Sequence, residues 1–311
     1  MDLAIIIVSY NTRNLLADCL STVYAGLARS ALEGDVWVVD NDSADGSAAM
    51  IREHFPAVCL VALEQNAGFA AGNNAALREL RAQGDQPRYV LFLNPDTLVQ
   101  DDALGALVRF LDSSPIAGAA GARLVHRDGE FQHSAFMFPG LTQIFFDFFP
   151  IHRRLLDSRL NGRYPRRLYK AGRPFAVDHP LGAALIVRSE VLTQVGAFDE
   201  RFFMYCEEVD LCRRIKAAGW IIACVPEARI VHLVGQSAQQ YRDRMFVALW
   251  RSRFLMYEKH ESRLFRGAAR ALLRLGLRAE ERRARKAWAN CTIDPALLER
   301  RLAAYREVAS L

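Results

Sequence analysis

From Leu3 to Leu111 the chain alternates short apolar runs with amphipathic stretches, and this alternation limits its fold more than any other feature. Four runs rich in Val, Ile and Leu are apolar on both faces, as strands are when helices cover both sides of a parallel sheet. They are Leu3–Val8, Val36–Val39, Val58–Leu63 and Val90–Leu93. Helix-like stretches follow them, near Leu15–Ala28, Ser47–His54, Ala70–Arg81 and Asp101–Leu111. The order predicts an α/β fold with a doubly wound, mostly parallel sheet and right-handed crossovers.

The rest of the chain has a less regular pattern. Strand-like runs occupy Ala183–Val187, Ile221–Val225 and Ile230–Val231, and a helix is predicted over Glu207–Ala218. From Ala238 onward the pattern is helical. The stretch 136–149 is rich in Phe, and we expect about half of these rings to lie in a core.

Composition limits the class of protein. The 311 residues, 51% of them hydrophobic, suffice for one large domain with a core. Met1-Asp2 leads directly into an apolar strand, which argues against a secretory signal, and no apolar run reaches the roughly 18–20 residues that span a bilayer. Six cysteines without CxxC spacing favour buried, reduced thiols over a zinc site. We therefore expect a cytoplasmic protein, either soluble or attached to a membrane surface.

Polar clusters follow three of the predicted strands. They are Ser9-Tyr10-Asn11 after the first strand, Asp40-Asn41-Asp42-Ser43 after the second and Asn94-Pro95-Asp96-Thr97 after the fourth. Each cluster alone could be a turn or a helix cap. Ligands of doubly wound sheets bind at the carboxyl ends of the strands, however, so all three clusters should meet in one crevice.

The residue types in these clusters suit a nucleotide and a hard cation. Asp96 is the candidate ligand for Mg²⁺, which takes one or two protein carboxylates and fills its other positions with substrate phosphates. Asp40 could accept hydrogen bonds from a base or ribose. The segment Gly68–Asn74 opens a helix and could bring backbone amides to a diphosphate, or could simply allow close packing. The glycine fingerprint of dinucleotide-binding sheets is missing after the first strand, which disfavours an oxidoreductase.

Two further positions are candidates for chemistry. Glu207, Glu208 and Asp210 open a predicted helix, where the helix dipole favours carboxylates, and apolar residues surround them. A carboxylate near an apolar wall can act as a general base, so one of Glu207 and Glu208 is a candidate, although simple capping would also explain them. His232 ends a strand and is either a second metal ligand or a structural residue.

Taken in order, these motifs resemble the family 2 glycosyltransferases, which have the GT-A fold, a Rossmann-like sheet flanked by helices. The resemblance extends from Leu3 to about Ser237 and is most similar to the bacterial rhamnosyltransferase branch, which uses dTDP-L-rhamnose for cell-surface polysaccharides. It rests on Val8-Ser9-Tyr10-Asn11, Val38-Val39-Asp40-Asn41-Asp42-Ser43, Asn66-Ala67-Gly68-Phe69, Asn94-Pro95-Asp96, Gly196-Ala197-Phe198-Asp199-Glu200, Glu207-Glu208-Val209-Asp210-Leu211 and His232-x-x-Gly-x-Ser237.

The resemblance implies a division of the chain and roles for its residues. Residues 1–237 would form the GT-A domain, with a nucleotide-binding half, 1–115, and an acceptor half, 116–237, and residues 238–311 a helical C-terminal region. The nucleoside would lie against Ser9, Tyr10, Asn11 and Asp40, and the ribose or diphosphate near Asn66 and Gly68. Asn94 and Asp96 stand where the family has its DxD motif, so Asp96 and His232 would hold Mg²⁺ or Mn²⁺.

On the acceptor side the resemblance implies a base and a binding loop. The pair Glu207-Glu208 matches the family's Glu-Asp motif, whose second residue is the base, so Glu208 takes that role with Glu in place of Asp. The loop at 178–182 has His179 where an aromatic residue is commoner. Asp178, Gly182 and Asp210 are the acceptor-side candidates.

The expected activity is inverting transfer of a sugar, L-rhamnose by resemblance, to a hydroxyl of a glycan or lipid-linked acceptor. A UDP- or GDP-sugar donor and a non-catalytic relative that binds nucleotide sugars are the alternatives. A nucleotidyltransferase is disfavoured because no Gly-rich, Lys-containing loop follows the first strand. No nucleic-acid partner is expected.

The segment Arg263–Lys286 concentrates positive charge. Its cations are Arg263, Arg266, Arg270, Arg274, Arg278, Arg282, Arg283, Arg285 and Lys286, against Glu280 and Glu281. Leucines interleave with them, a pattern typical of a helix on an anionic membrane surface and equally of a helix packed on its own domain or on a second copy. Peripheral contact with the inner face of the cell membrane is therefore one expectation.

Overall fold

The computed structural model describes residues 1–84, 86–233 and 242–311. The chain divides into two compact units. The first contains residues up to 137, then 164–203 and the segment from Glu207 through the last strand; the second contains 138–163, 204–206 and the C-terminal helices. The predicted domain boundary at 237/238 lies outside the described residues. So do Gly235 and Ser237 of the motif that begins at His232.

The first unit alternates strands and helices. Its strands are β1 (Leu3–Ser9), β2 (Gly34–Asp40), β3 (Cys59–Ala62), β4 (Tyr89–Leu93), β5 (Thr97–Val99), β6 (Ala117–Val125), β7 (Ala135–Phe136), β8 (Phe175–Ala176), β9 (His179–Pro180), β10 (Ala184–Arg188) and β11 (Ile221–His232). Its helices are α1 (Arg13–Ser30), α2 (Ser47–His54), α3 (Gly68–Ala82), α4 (Ala103–Ser113), α7 (Arg166–Lys170), α8 (Ser189–Val195) and α9 (Glu207–Ala217). The second unit contains α5 (Leu141–Phe148), α6 (Arg153–Leu156), a 3₁₀ turn (Arg159–Asn161), α10 (Arg242–His260), α11 (Arg263–Ala289) and α12 (Pro295–Ala309).

The main sheet is mixed and mostly parallel, with the order β3-β2-β1-β4-β10-β6-β11-β5 and with β8 beside β11. The four strands predicted in the first third are all present and mutually parallel. β10 enters antiparallel between β4 and β6, and β11 runs parallel to β6. β7 and β9 form a small second sheet. The predicted α/β architecture is confirmed.

Both faces of the central strands are buried, as their sequences predict. Leu3, Ile5 and Ile7 lie in one core cluster with residues of α1 and α4. On the other face, α3 comes so close to β1 that a Cβ on Gly72 would lie 2.9 Å from Cγ1 of Val8. This close packing sets where the first turn of α3 lies beside the carboxyl ends of β1 and β2.

The C-terminal half of the sheet differs from prediction in two places. The runs Ile221–Val225 and Ile230–Val231 belong to one strand, β11, whose register shifts between Val225 and Arg229. Pro226 lies in this interval and has no N–H to donate, which accounts for the break in the sequence pattern. β6 was missed because its sequence, Ala-Gly-Ala-Ala-Gly-Ala at the start, lacks the β-branched residues that signal a strand.

The second unit has its own aromatic packing. Phe148 of α5 stacks on Trp250 of α10, with ring centroids 5.4 Å apart. A Cβ on Gly276 of α11 would lie 2.2 Å from Cγ of Phe148, so this glycine allows the two helices to meet. Of the aromatic stretch, Phe146 and Phe148 are buried and the other Phe rings are partly exposed.

Thiol burial follows the sequence expectation for most cysteines, and all six are free thiols. Cys19, Cys206, Cys212 and Cys224 are buried, while Cys291 is exposed. Within the described ranges no helix is long and apolar enough to cross a membrane.

Candidate active site

The carboxyl ends of β1 and β2 are joined by hydrogen bonds between the predicted clusters. The backbone N–H of Asn11 donates to Oγ of Ser43 (2.9 Å), and Oδ1 of Asn11 accepts from the N–H of Ala44 (2.8 Å). Asn11 has a left-handed backbone, with φ of 52°, a conformation that Asn tolerates better than most residues. The first two clusters therefore form one continuous wall at this edge of the sheet.

The side chains of the first cluster face different surroundings. Ser9 is buried, and its hydroxyl is 2.8 Å from Oγ1 of Thr12. Tyr10 is 37% exposed. The serine thus organises the turn after β1, whereas the tyrosine ring is accessible to a ligand.

Asp40 is a buried carboxylate with an unsatisfied oxygen. Its side chain is 4% exposed, and Oδ2 accepts only a long hydrogen bond from the N–H of Ser43 (3.4 Å). Among the described residues, no donor reaches Oδ1. A buried acceptor without a donor is costly, and a base or ribose hydroxyl could supply the donor.

Asn41 fixes the start of α3 beside the end of β2. Its Nδ2 donates to Oδ1 of Asn66 (2.9 Å), and its Oδ1 accepts from the N–H of Ala67 (2.9 Å). Oδ1 of Asn66 also accepts from the N–H of Gly68 (3.0 Å). Asn66 therefore holds the backbone of the loop in place, a role that the sequence did not reveal.

Gly68 is required by its backbone and by its neighbour. Its φ is +86°, and a Cβ would lie 2.3 Å from the carbonyl oxygen of Phe203. That same oxygen accepts a hydrogen bond from the N–H of Phe69 (2.7 Å). The first turn of α3 is thus attached to the segment that precedes the acidic residues of α9.

Asp96 and His232, the two predicted metal ligands, lie together. Nε2 of His232 is 3.5 Å from Oδ1 of Asp96, and both side chains are buried. The backbone also joins them, because the N–H of Leu233 donates to the carbonyl of Asp96 (2.9 Å) and β5 pairs with β11. One carboxylate oxygen and one imidazole nitrogen suit a divalent cation such as Mn²⁺ or Mg²⁺ whose other positions are filled by a diphosphate.

The metal prediction is limited to this pair. In the part of the chain that the structure describes, no group of three or more His, Cys, Asp or Glu residues could hold an ion. A cation here would therefore depend on substrate oxygens for most of its ligands.

Gln132 contacts the predicted ligand His232 and was not found from the sequence. Its side-chain Nε2 is 3.0 Å from Nδ1 of His232. Its Oε1 is buried and has no hydrogen-bond partner among the described residues. An amide rotated by 180° would place Oε1 against Nδ1–H, which would leave Nε2 of the imidazole with its lone pair free for a metal. Because one hundred positions separate the two residues, no local pattern could have indicated this contact.

A short segment connects the Asp96 loop to the acidic pair. The N–H of Asn94 donates to the carbonyl of Ala183 (3.0 Å). Next to Ala183, a Cβ on Gly182 would lie 3.4 Å from Cγ of Glu208. Residues 182–183 therefore lie next to both the loop that carries Asp96 and the side chain of Glu208.

Glu207 and Glu208 differ in their environments. Glu207 is buried, and among the described residues no donor reaches its Oε2. Burial, and secondly the negative charge of Glu208, raises the pKa of Glu207 well above its usual value. Glu208 is only partly buried.

The backbone before this pair is unusual. Tyr205 and Cys206 both have left-handed backbones, with φ of 70° and 65°. Consecutive non-glycine residues in this region are uncommon, and such conformations concentrate at functional sites.

The acceptor-side candidates are tied into the fold by ion pairs. Asp210 is fully buried and accepts from Nε of Arg214 (2.9 Å), whose other nitrogens donate to the carbonyls of residues 195–197. Asp178 pairs with Nζ of Lys216 (2.5 Å). His179 is buried, stacks on Phe136 and donates from Nδ1 to the carbonyl oxygen of Pro180 (3.1 Å). Burial lowers the pKa of His179 to about 4, so the ring is neutral near pH 7.

The motif at 196–200 has a structural role that sequence reasoning did not assign. Asn74 of α3 donates to the carbonyl of Phe198 (2.8 Å) and accepts from its N–H (3.1 Å). Nδ2 of Asn74 and Nη1 of Arg78 both donate to Glu200, and these bonds lower the pKa of Glu200. The motif thus fastens the loop before α9 to α3.

The mixed sheet, with polar groups gathered at the carboxyl ends of β1, β2 and β4, has the GT-A glycosyltransferase architecture. A mannosyltransferase from Pyrobaculum calidifontis, solved in complex with GDP-Man and Mn²⁺, has the same fold with a TM-score of 0.57 and 20% identity. The match covers 99% of this chain and 86% of the other.

The sequence comparison is more specific. A model of glycosyl transferase family 2 matches residues 4–178, and the chain belongs to this family. It is 29% identical over 253 residues to the N-acetylglucosaminyl-diphospho-decaprenol L-rhamnosyltransferase of Mycobacterium tuberculosis, with 77% of this chain and 79% of the relative covered. It is 27% identical over 188 residues to rhamnosyltransferase WbbL of Escherichia coli, with 58% and 66% covered. The protein is a glycosyltransferase.

Proposed function

We propose that this glycosyltransferase moves L-rhamnose from dTDP-L-rhamnose to a hydroxyl of a lipid-linked glycan, with inversion at the anomeric carbon, in the synthesis of a cell-surface polysaccharide. The connection from Asp96 through residues 182–183 to Glu208 is the observation that carries the proposal. Through these contacts the loop of the candidate cation site and the candidate base lie next to the same two residues. The rhamnosyltransferase relatives support the choice of sugar.

The donor nucleoside occupies the wall formed by the ends of β1 and β2. Tyr10 offers an accessible ring, Asn11 shapes the turn, and Oδ1 of Asp40 accepts from the base or ribose. Ser9 is buried below this wall and supports the turn through its hydrogen bond with Thr12. The diphosphate lies near the start of α3, where Gly68 lets the loop pack against Phe203 and Asn66 holds that loop. The names of the relatives specify rhamnose, and the resemblance to the rhamnosyltransferase branch implies dTDP rather than UDP or GDP as its carrier.

Asp96 and His232 would hold a divalent cation, and Asn94 fixes the loop that carries Asp96. When bound, such a cation neutralises charge on the diphosphate leaving group. Asp96 would offer a carboxylate oxygen and His232 an imidazole nitrogen. Gln132 orients the imidazole by its contact with Nδ1.

Glu208 is the base. Because the pKa of Glu207 is raised, Glu207 keeps a proton more readily than an exposed glutamate, and a neutral Glu207 no longer repels Glu208. Glu208 then accepts the proton of the acceptor hydroxyl as that oxygen attacks the anomeric carbon. A single displacement opposite the leaving group inverts the anomeric configuration.

The acceptor lies on the other side of residues 182–183. Gly182 leaves room beside Glu208, while Asp178 and Asp210 shape this side through their ion pairs with Lys216 and Arg214. A lipid-linked acceptor would place the enzyme in the cytoplasm at the inner face of the membrane. The name of the Mycobacterium tuberculosis relative supports an acceptor of this class.

The test is a thermal-shift panel of dTDP-, UDP- and GDP-sugars, each with Mn²⁺, Mg²⁺ or a chelator. We expect dTDP-L-rhamnose with a divalent cation to raise the melting temperature most, since a ligand that binds only the folded state stabilises it. The anomeric configuration of the product, measured by NMR coupling constants, tests inversion. A larger shift with a UDP- or GDP-sugar would overturn the donor assignment, and no shift with any pair would favour a non-catalytic relative.

A further inference from the structure

Helix α11 presents an exposed face rich in arginine and apolar residues, with one partly buried carboxylate, that of Glu281, at its edge. We call this the outer face; its members recur at three- and four-residue spacing along all of α11. They are Arg263, Leu264, Gly267, Ala268, Ala271, Arg274, Leu275, Arg278, Arg282, Arg285, Lys286 and Ala289. With a rise of about 1.5 Å per residue, a helix of 27 residues extends roughly 40 Å. The face is thus a long cationic strip.

The charge on the outer face is mostly uncompensated. Among the described residues, Arg285 alone of these cations has a carboxylate partner, Glu281, at 2.7 Å. Arg274, Arg278 and Arg282 follow one another at intervals of one turn. The exposed side of α12, by contrast, carries Glu299 and Glu307 with its arginines. Positive charge is therefore concentrated on α11 within this unit.

Exposed leucines accompany the cations on the outer face. Leu264 is 87% exposed and Leu275 is 53% exposed. Between them lie Gly267, Ala268 and Ala271, whose small side chains allow a flat surface to approach the helix closely. Cations with exposed leucines suit the boundary between lipid headgroups and acyl chains, because that boundary supplies both negative charge and an apolar medium.

A cavity at the edge of the outer face could receive a headgroup phosphate. It has a volume of about 300 Å³ and lies between α11 and α12. Four arginines line it, with one carboxylate, that of Glu281, among them: Arg274, Arg278, Arg285 and Arg306. Guanidinium groups bind phosphate oxygens in pairs, so this cavity adds a specific contact to the general attraction of the face.

We infer that the outer face of α11 is a docking surface for an anionic lipid bilayer. Charge complementarity identifies the partner as anionic, and the exposed leucines favour a bilayer over a nucleic acid, which offers phosphates but no apolar medium. The docking surface rests on the proposed function, because an enzyme whose acceptor is lipid-linked must reach a membrane surface. Binding itself requires no donor, cation or acceptor, so it can be tested apart from the reaction.

The test is co-sedimentation of the full chain with vesicles of phosphatidylcholine alone and with phosphatidylglycerol at about one lipid in four. The wild type should bind the anionic vesicles and not the neutral ones, and added salt should weaken binding. The variant Arg274→Gln/Arg278→Gln/Arg282→Gln should bind about 100-fold more weakly, roughly fivefold for each lost charge.

A matched control variant distinguishes the loss of charge on the outer face from the same loss of net charge elsewhere on the protein. Arg52, Arg81 and Arg127 are exposed in the first unit and have no ion pair among the described residues. Arg52→Gln/Arg81→Gln/Arg127→Gln makes the same change in net charge and should bind as the wild type does. Equal weakening by both triple variants would overturn the proposal, as would equal binding of the wild type to neutral vesicles.

A third variant distinguishes a bilayer from a nucleic acid. Leu264→Ala/Leu275→Ala keeps every charge and should weaken vesicle binding while leaving any binding to a short duplex DNA unchanged. Circular dichroism and the melting temperature confirm that each variant is folded. If the duplex binds more tightly than anionic vesicles and the leucine variant binds vesicles normally, the face recognises phosphate backbones and the bilayer assignment is wrong.

Discussion

The carboxyl edge of the sheet and the outer face of α11 both concentrate ionisable side chains, but they do so in opposite settings. At the sheet edge Asp40, Asp96, Glu207 and His232 are buried. On α11 the arginines stand in water. A buried charge costs free energy unless it is paired, whereas an exposed one costs almost nothing.

This contrast teaches how each region can be interpreted. The unsatisfied oxygens of Asp40 and Glu207 indicate a site because the fold alone gives no reason to leave them buried without donors. The arginines of α11 carry no such signal individually, and only their continuity on one face indicates a partner. The predictions below test which of the buried groups, and whether the less buried Glu208 beside them, take part in the chemistry.

The largest effect should come from Glu208. Glu208→Gln removes the proton acceptor but keeps the size of the side chain, and general base catalysis contributes roughly 10²–10⁴-fold. We expect transfer to fall by about that factor while donor binding, measured by thermal shift, is unchanged. Normal turnover by Glu208→Gln would show that another group is the base.

Glu207→Gln is the matched control for Glu208. The pKa of Glu207 is raised in the fold, so the wild type loses stability as the pH rises through that pKa, and a neutral Gln avoids the loss. The variant should therefore be at least as stable as the wild type at pH 8, with a smaller loss of activity than Glu208→Gln. A larger loss of activity for Glu207→Gln than for Glu208→Gln would show that Glu207 is the base.

A second test uses the pH dependence of stability at His179. The pKa of this buried ring is lowered to about 4, whereas the unfolded chain binds the proton near pH 6.5. Stability contributed by the neutral ring is present above pH 6.5 and falls as the pH drops toward 4, by about 3 kcal/mol over the whole interval. His179→Phe keeps the stacking on Phe136 and should remove this slope.

Urea unfolding at pH 7 and pH 5 measures the slope for the wild type and for His179→Phe. His54→Gln, at an exposed position in α2, should retain the slope of the wild type. If His179→Phe keeps it as well, the acid sensitivity comes from other groups.

The parallel half of the fold could be predicted from the sequence because it depends on local pattern. Strands buried on both faces must be apolar throughout, and the helices between them show their own period, so β1 to β4 and α1 to α4 were found within a few residues of their observed bounds. The rule that ligands bind at the carboxyl ends of the strands then placed Asp40 and Asp96 at one edge.

The remaining features depend on contacts between distant parts of the chain. β6 uses Ala and Gly because other groups press against it, and a Cβ on Gly121 would lie 2.2 Å from Pro180. The contact of Gln132 with His232 and that of Asn74 with Phe198 join residues about a hundred positions apart. No local pattern indicates such pairs, so the sequence predicted candidate ligands but not the residues that contact them.

A third test compares two glycines of α11, one facing the core of the second unit and one on the outer face. Gly276→Ala would place a methyl 2.2 Å from the buried ring of Phe148, and overpacking of this kind costs about 1–3 kcal/mol. Gly267 has nothing within 4 Å among the described residues, so Gly267→Ala should stabilise the helix by about 1 kcal/mol. Urea unfolding should separate the two variants in opposite directions, and destabilisation by Gly267→Ala would show that the outer face is already covered.

The smallest effect, and the sharpest test of the buried edge, concerns Gln132. The imidazole of His232 can bind a metal through Nε2 only if its proton is on Nδ1, and Oε1 of Gln132 is the group that can accept that proton's hydrogen bond. Gln132→Leu cannot accept it and should weaken Mn²⁺ binding about tenfold, as measured by electron paramagnetic resonance of free Mn²⁺. Gln132→Glu retains an acceptor and should bind Mn²⁺ at least as well as the wild type. If Gln132→Leu binds Mn²⁺ normally while His232→Ala does not, the imidazole is held by its burial alone and the amide has no part in the metal site.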